Sequence, residues 1–214
     1  AVDGPTLTGE ARHASASGSG TCVGLPVSGV EVRILKIEDR PLPMMSEAVT
    51  LADREIGEIV ATGPSVTRSY DGLPDATARA KIRDETGRIW HRMGDAGYRD
   101  PEGRIWFCGR IAERVVTRNG VLYTDCVEGI INTMPGVRRS ALIGLGPSPD
   151  QEPALVIEPE TGKAPKVSEI LQHAAEFEVT QSIKRVFFCQ RFPVDVRHNA
   201  KIHRLELAKR FQSS

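Results

Sequence analysis

The chain has 214 residues, 40% of them hydrophobic and 26% charged, a composition typical of folded globular proteins. Its 28 basic and 28 acidic residues cancel, so no long-range field favours nucleic acid or an anionic membrane as a partner. No apolar run approaches the roughly 20 residues that cross a bilayer, and no transmembrane segment is expected.

The cysteines are scattered singly, without a CxxC pair or a histidine at metal-ligand spacing. This pattern predicts reduced thiols in a cytoplasmic protein and no metal site in this chain. The four are Cys22, Cys108, Cys126 and Cys189. Four histidines lack a partner at a recognisable triad spacing, and we interpret them as structural or surface residues. These are His13, His91, His173 and His203.

Residues 1–20 are rich in Gly, Ser, Thr and Ala, lack an initiator Met and show no period, so we predict a loop cut from a longer chain. Residues 21–110 are predicted to be mostly β. Alternation of Val30, Val32 and Ile34 with charged residues indicates a half-buried strand. Further predicted elements are strands at residues 55–61 and 89–93, a surface helix at 77–85, and a hairpin at 98–108 that turns at 100–103.

Residues 111–214 change to a mixed α+β pattern, and the joint at residues 109–113 is short enough to suit a hinge. Asn119-Gly120 predicts a hairpin with a type I′ turn, and Ser168 is the predicted N-cap of a helix. Basic residues near the last helix are predicted to form a solvated face: Lys201, Arg204, Lys209 and Arg210. Other predicted elements are helices at residues 126–134 and 202–211 and strands at 140–145, 154–157 and 185–189. No internal repeat of about 20 to 50 residues is present.

The pair Gly94-Asp95 is weak evidence alone, because Gly-Asp is common at turns. Its place in an ordered series of motifs is more informative. The series runs through Gly57-Glu58-Ile59, Tyr70-Asp71-Gly72, Met93-Gly94-Asp95, Gly109-Arg110 and Asn199-Ala200-Lys201. In this order the motifs resemble the acyl-adenylate-forming (AMP-binding) superfamily, which includes acyl-CoA synthetases and nonribosomal peptide adenylation domains.

The resemblance implies an α+β fold, with a small distorted β-barrel subdomain at residues 21–110 and a mobile lid at residues 111–214. It also implies ATP and Mg²⁺ as cofactors, bound mainly by an upstream lobe, and a chain that is inactive alone. Asp95 would accept hydrogen bonds from the ribose hydroxyls, and Arg110 would reach ribose or α-phosphate. Lys201 would be catalytic, stabilising charge that develops between the carboxylate and the leaving pyrophosphate.

Three departures from the superfamily pattern narrow the resemblance. Met93 replaces a hydroxyl residue that contacts phosphate, Ala112 replaces a charged hinge residue, and His198 begins an unusual sequence before the lysine. Met93 and His198 are both candidates for lining the site. These features are similar to the β-lactone synthetase branch of olefin biosynthesis, whose members activate a β-hydroxy fatty acid. The implied partners are that acyl substrate and other enzymes of the same lipid pathway.

Two alternatives stay open from the sequence. One is an acyl-CoA synthetase or acyl-AMP ligase, which would pass the activated acyl group to a thiol or carrier rather than close a lactone. The other is a non-catalytic interaction module, for which the motif lysine and arginine would be expendable.

Overall fold

The computed structural model describes residues 9–195 and 201–212, and the chain folds as two compact units. Residues 22–111 form the first unit, while residues 9–21 join the residues from 112 onward in the second. Within the described ranges, no helix has the length and apolarity needed to cross a membrane.

The helices are α1 Glu10–Ala16, α2 Pro74–Ala80, α3 Thr124–Ile131, α4 Val167–Ala175 and α5 Arg204–Phe211. The strands are β1 Thr21–Gly24, β2 Glu31–Leu35, β3 Gly57–Thr62, β4 Lys81–Arg83, β5 Ile89–Arg99, β6 Ile105–Arg110, β7 Val115–Thr117, β8 Gly120–Leu122, β9 Val137–Leu145, β10 Glu152–Pro159 and β11 Arg185–Phe188. Short 3-10 turns cover Met45–Glu47 and Ile111–Glu113. The α+β class is therefore confirmed.

The first unit is built on one open sheet with the strand order β1-β6-β5-β3-β2, and β4 pairs with β5 outside that path. Since β1 and β2 stand at opposite ends of the order, the described residues form an open sheet, and no closed barrel is found among them where a small distorted β-barrel is predicted. Apolar side chains cover both faces. Neighbouring residues of β2 and β3 enter different clusters, Ile34 and Ile59 on one face and Leu35 and Val60 on the other, as the two-residue period of a strand requires.

The helix predicted over residues 77–85 begins earlier and ends at Ala80. Pro74 lies in its first turn, where a missing backbone N–H costs little. Residues 81–83 instead form β4, because Ile82 is fully buried and the segment pairs with β5. The hairpin predicted at residues 98–108 is confirmed by the pairing of β5 with β6.

Two turns of the first unit share one sequence pattern, Arg-Asp-x-x-Gly-Arg-Ile-Trp, at residues 83–90 and 99–106. In each turn the aspartate accepts a hydrogen bond from the indole N–H of the tryptophan. The distance is 3.0 Å from Trp90 to Asp84 and 2.8 Å from Trp106 to Asp100. Both indoles are buried, so each carboxylate ties its turn to the core. The spacing of this repeat is shorter than the roughly 20 to 50 residues that are typical of repeat architectures.

The second unit contains a three-stranded sheet, β11-β10-β9, with helices on both faces. On one face Leu155 and Ile157 of β10 belong to a cluster with α3 and α4. On the other face Ala154 and Val156 belong to a cluster with Leu207 of α5. Burial on both faces explains why β10 is a continuous apolar run rather than an alternating one.

Three local predictions for the second unit are corrected by the structure. A loop over residues 1–20 is wrong for residues 10–16, because α1 forms there and packs against α3. The β7–β8 hairpin is confirmed, but its turn residues are Arg118 and Asn119, and Arg54 is the one non-glycine residue with positive φ among those described, so the turn is not type I′. Helix α4 has Lys166 rather than Ser168 at its N-cap.

Candidate functional site

The Gly94-Asp95 pair lies in a bulge in the middle of β5, not in a terminal turn. Glu58 of β3 pairs with Ala96 and Val60 pairs with Arg92, so residues 93–95 stand opposite the single residue 59. Gly94 has a φ of 69°, a left-handed conformation that glycine adopts without strain. Bulges re-aim side chains next to functional sites, and this one sets the direction of Asp95.

Arg110 is the last residue of β6 and pairs directly with Asp95 across the two strands. The Arg110 Nη1 lies 2.9 Å from the Asp95 Oδ1, and it also donates to the main-chain oxygen of Met93 at 3.2 Å. The side chain of Asp95 is 14% exposed and that of Arg110 is 51% exposed. The structure thus brings together two residues that the sequence separates: a largely buried carboxylate and a half-exposed guanidinium.

Met93 lies in the bulge, and the residue is 42% exposed. Its main-chain oxygen supports Arg110, a role that does not depend on the side chain and so tolerates methionine in place of a hydroxyl residue. A carboxylate can accept hydrogen bonds from the hydroxyls of a sugar, and a planar guanidinium beside it can donate to a phosphate.

Lys201 belongs to the second unit and lies three residues before α5 with its side chain exposed. Its main-chain oxygen accepts a hydrogen bond from the Asp195 N–H at 3.0 Å. Ala112 is the first residue of the second unit after the first ends at Ile111. His198, the other predicted site residue, lies outside the described residues.

A separate cleft of about 680 Å³ lies on the first unit between β2, β3 and the turn before β5. Its lining includes Glu31, Arg68, Arg83 and Arg88 but none of the predicted site residues. Among residues 9–195 and 201–212, no group of three His, Cys, Asp or Glu side chains is arranged to hold a metal ion. All four cysteines are buried free thiols.

One charged cluster of the second unit was not expected from the sequence. Arg204, predicted to be solvated, is only 15% exposed and pairs with Glu128 of α3 and with Glu113. Its partners lie 76 and 91 residues earlier in the chain, so no local pattern indicates them. Burial opposes the charge of Arg204, but the two carboxylates outweigh that effect and raise its pKa.

Comparisons with known proteins give a consistent result, although no protein-family profile matches the chain. It is 48% identical over 204 residues to the olefin β-lactone synthetase of Stenotrophomonas maltophilia, covering 92% of this chain and 37% of that protein. It is 45% identical over 217 residues to the olefin β-lactone synthetase of Xanthomonas campestris, covering 97% of this chain and 39% of that protein. The chain therefore spans less than two fifths of these relatives.

Solved structures show the same fold at lower identity. ATP-bound MatB from Rhodopseudomonas palustris superimposes with a TM-score of 0.74 at 23% identity, over 89% of this chain and 36% of that one. The O-succinylbenzoate coenzyme A synthetase of Bacillus subtilis, in complex with AMP, superimposes with a TM-score of 0.70 at 22% identity.

Proposed function

Because this chain belongs to the adenylate-forming enzymes, has olefin β-lactone synthetases as close homologues and corresponds to a C-terminal portion of them, we propose that it is part of an ATP-dependent ligase. The ligase activates a fatty acid as an acyl-adenylate. The acyl substrate is a β-hydroxy acid, and the product is a β-lactone. The cross-strand pair of Asp95 and Arg110 is the structural observation that supports a nucleotide site on this chain.

In the first step the carboxylate oxygen of the acid bonds to the α-phosphorus of ATP, and pyrophosphate leaves. Asp95 orients the nucleotide by accepting hydrogen bonds from its ribose hydroxyls, which are charge-assisted and so stronger than neutral ones. Arg110 is held by Asp95 on one side and directs its remaining donors to ribose or phosphate. Lys201 places positive charge where negative charge develops as pyrophosphate departs.

In the second step the β-hydroxyl oxygen bonds to the activated carboxyl carbon within the same molecule. The bond from that carbon to the phosphate oxygen breaks, AMP leaves, and the hydroxyl proton passes to solvent or a base. Holding both reacting groups in one molecule gives a high effective molarity, so no external thiol is needed.

Three subsidiary proposals concern the metal, the compartment and the movement of the second unit. Mg²⁺ accompanies the ATP phosphates and is bound mainly by the upstream lobe; the described residues of this chain offer no group arranged to hold a metal. A reducing compartment such as the cytoplasm suits a chain whose four cysteines are all free thiols. Residues 111–214 act as the mobile lid that carries Lys201, hinged near Arg110 and Ala112.

The test is a product analysis with the full-length enzyme, ATP and a β-hydroxy fatty acid, with and without coenzyme A. We expect AMP, pyrophosphate and a product lighter than the acid by one water, formed equally without coenzyme A. The control substrate is the same fatty acid without its β-hydroxyl. This acid should form the acyl-adenylate but no lactone. A thioester that forms only with coenzyme A would favour an acyl-CoA synthetase, and no ATP cleavage with either acid would contradict adenylation.

A further inference from the structure

Arg204 forms more ion pairs, and is more buried, than is usual for an arginine at the end of a helix. Its guanidinium forms two parallel bonds to Glu128, from Nε to Oε1 at 2.7 Å and from Nη2 to Oε2 at 2.6 Å. Its third nitrogen, Nη1, lies 2.9 Å from Oε2 of Glu113. The three side chains are between 8% and 15% exposed. Each of the three guanidinium nitrogens is therefore bonded to a carboxylate within the protein.

The two carboxylates attach Arg204 to distant parts of the second unit. Glu128 lies on α3 and also accepts a hydrogen bond from the main-chain N–H of Leu142, on β9, at 2.9 Å. Glu113 lies in the turn Ile111–Glu113, at the start of the second unit's main segment. The cluster of Glu113, Glu128 and Arg204 thus connects that starting turn, the sheet and α3 to the first residue of α5.

The segment just before α5 carries Lys201. The main chain of this segment pairs with residues 193–195, through Asp195 N–H to Lys201 oxygen at 3.0 Å and His203 N–H to Pro193 oxygen at 2.9 Å. Arg204 fixes the other end of the segment. Together these contacts determine where the Lys201 backbone lies, while its exposed side chain is left to reach a substrate.

We propose that Arg204 is a positioning residue, which with Glu113 and Glu128 fixes the place of Lys201 within the second unit. This inference rests on the function proposed above for Lys201. A buried ionic cluster is a weak source of stability compared with apolar packing, because desolvation offsets the attraction between the charges. Its planar, directional bonds are better suited to setting a geometry, and lysine cannot reproduce them.

The test is a double-mutant cycle in the full-length enzyme, read by the exchange of pyrophosphate into ATP. Arg204→Lys keeps the charge but loses the fork. With Lys201 present, we expect the exchange rate to fall roughly tenfold or more, as misplacement of a reacting group does. In the Lys201→Ala background the exchange is slower and is followed over longer times. There we expect Arg204→Lys to lower the exchange rate further by less than about twofold, because position 201 no longer carries a lysine to be displaced.

Equal losses in the two backgrounds, or no loss in either, would overturn the positioning role. Glu113→Ala provides a second variant in case Arg204→Lys does not fold, since it leaves the bonds between Arg204 and Glu128 intact, and the same dependence on Lys201 is expected. Arg118→Lys is the control, because it makes the same substitution in an exposed ion pair, with Asp150. It should leave the rate of pyrophosphate exchange unchanged. An unchanged rate in Lys201→Ala alone would overturn both the function proposed for Lys201 and this inference.

Discussion

Asp95 shows how a strand bulge and a cross-strand partner together fix one side chain. The bulge at residues 93–95 directs the carboxylate out of the strand register, and Arg110 holds it from the opposite strand. If Asp95 binds the ribose as proposed, a pair that is already formed lowers the cost of rearrangement when the nucleotide binds.

We predict that Asp95→Asn in the full-length enzyme raises the KM for ATP about tenfold or more, because hydrogen bonds to a charged acceptor contribute about 1.5 to 3 kcal/mol each. The steady-state rate at varied ATP concentration measures the effect. Asp53→Asn is the control, since Asp53 also pairs with an arginine of the first unit, Arg99, at 2.8 Å. Equal KM values for the two variants would remove Asp95 from the nucleotide site.

The sequence indicated Asp95 and Arg110 as site candidates, but it could not show that they are cross-strand partners. Their pairing depends on a bulge in β6, where Ala96 pairs with Gly109 but Gly97 pairs with Phe107, and the sequence does not indicate this shift. The prediction that Arg204 is solvated is wrong for a related reason. A basic residue near a helix end usually faces solvent, and only the fold brings Glu128 beside it.

At the level of elements, the two Asp–Trp turns make the first unit sensitive to acid. Burial opposes ionisation of Asp100, but hydrogen bonds from Trp106 and Arg104 outweigh it and lower its pKa. Hydrogen bonds from Thr86 and Trp90 likewise lower the pKa of Asp84. A lowered pKa in the folded state gives stability that is present above the unfolded pKa, about 3.9, and is lost as pH falls through the folded value.

We therefore predict that Asp100→Asn lowers the free energy of unfolding at neutral pH and makes it less dependent on pH below about 4, where the unfolded carboxyl takes up its proton. Urea unfolding at a series of pH values measures both effects. The control is Glu102→Gln in the same turn, which removes a charge from a side chain that is 62% exposed. An unchanged pH profile for Asp100→Asn would show that this carboxylate does not support the turn.

Helix α1 was missed because its stability comes from packing that the sequence does not reveal. Ala11 is buried, and a side chain on Gly129 of α3 would lie 2.6 Å from the main-chain oxygen of Ser15. The two helices can approach because position 129 has no Cβ. In contrast, the turn at residues 100–103 was predicted correctly because Pro and Gly determine it locally.

Gly129→Ala tests this approach of helices. Helix propensity alone predicts a gain of up to about 1 kcal/mol for alanine within a helix. We expect the opposite, a loss of about 1 to 3 kcal/mol from overpacking, with faster trypsin cleavage at the exposed Arg12 as α1 separates from α3. Urea unfolding and timed proteolysis measure the two effects. A stabilised variant with unchanged cleavage would contradict the packing described here.

For the whole molecule, the chain spans less than two fifths of its relatives and contributes only three of the residues proposed to bind or activate ATP, namely Asp95, Arg110 and Lys201. A few polar contacts without an enclosing cavity give weak binding. We predict that the isolated 214-residue chain binds ATP with a Kd of about 1 mM or higher. This corresponds to a binding free energy of about −4 kcal/mol or one that is less negative. Calorimetry on a chain shown to unfold cooperatively measures this, and a micromolar Kd would contradict it.

Lys201 is the residue of this chain proposed to assist adenylation, and pyrophosphate exchange in the full-length enzyme tests that role most directly. Lys201→Ala is expected to raise the barrier by about 2 to 4 kcal/mol, the scale of one transition-state charge contact. Lys209→Ala, an exposed lysine of α5, should exchange at the wild-type rate. Equal rates for Lys201→Ala and the wild type would contradict that role.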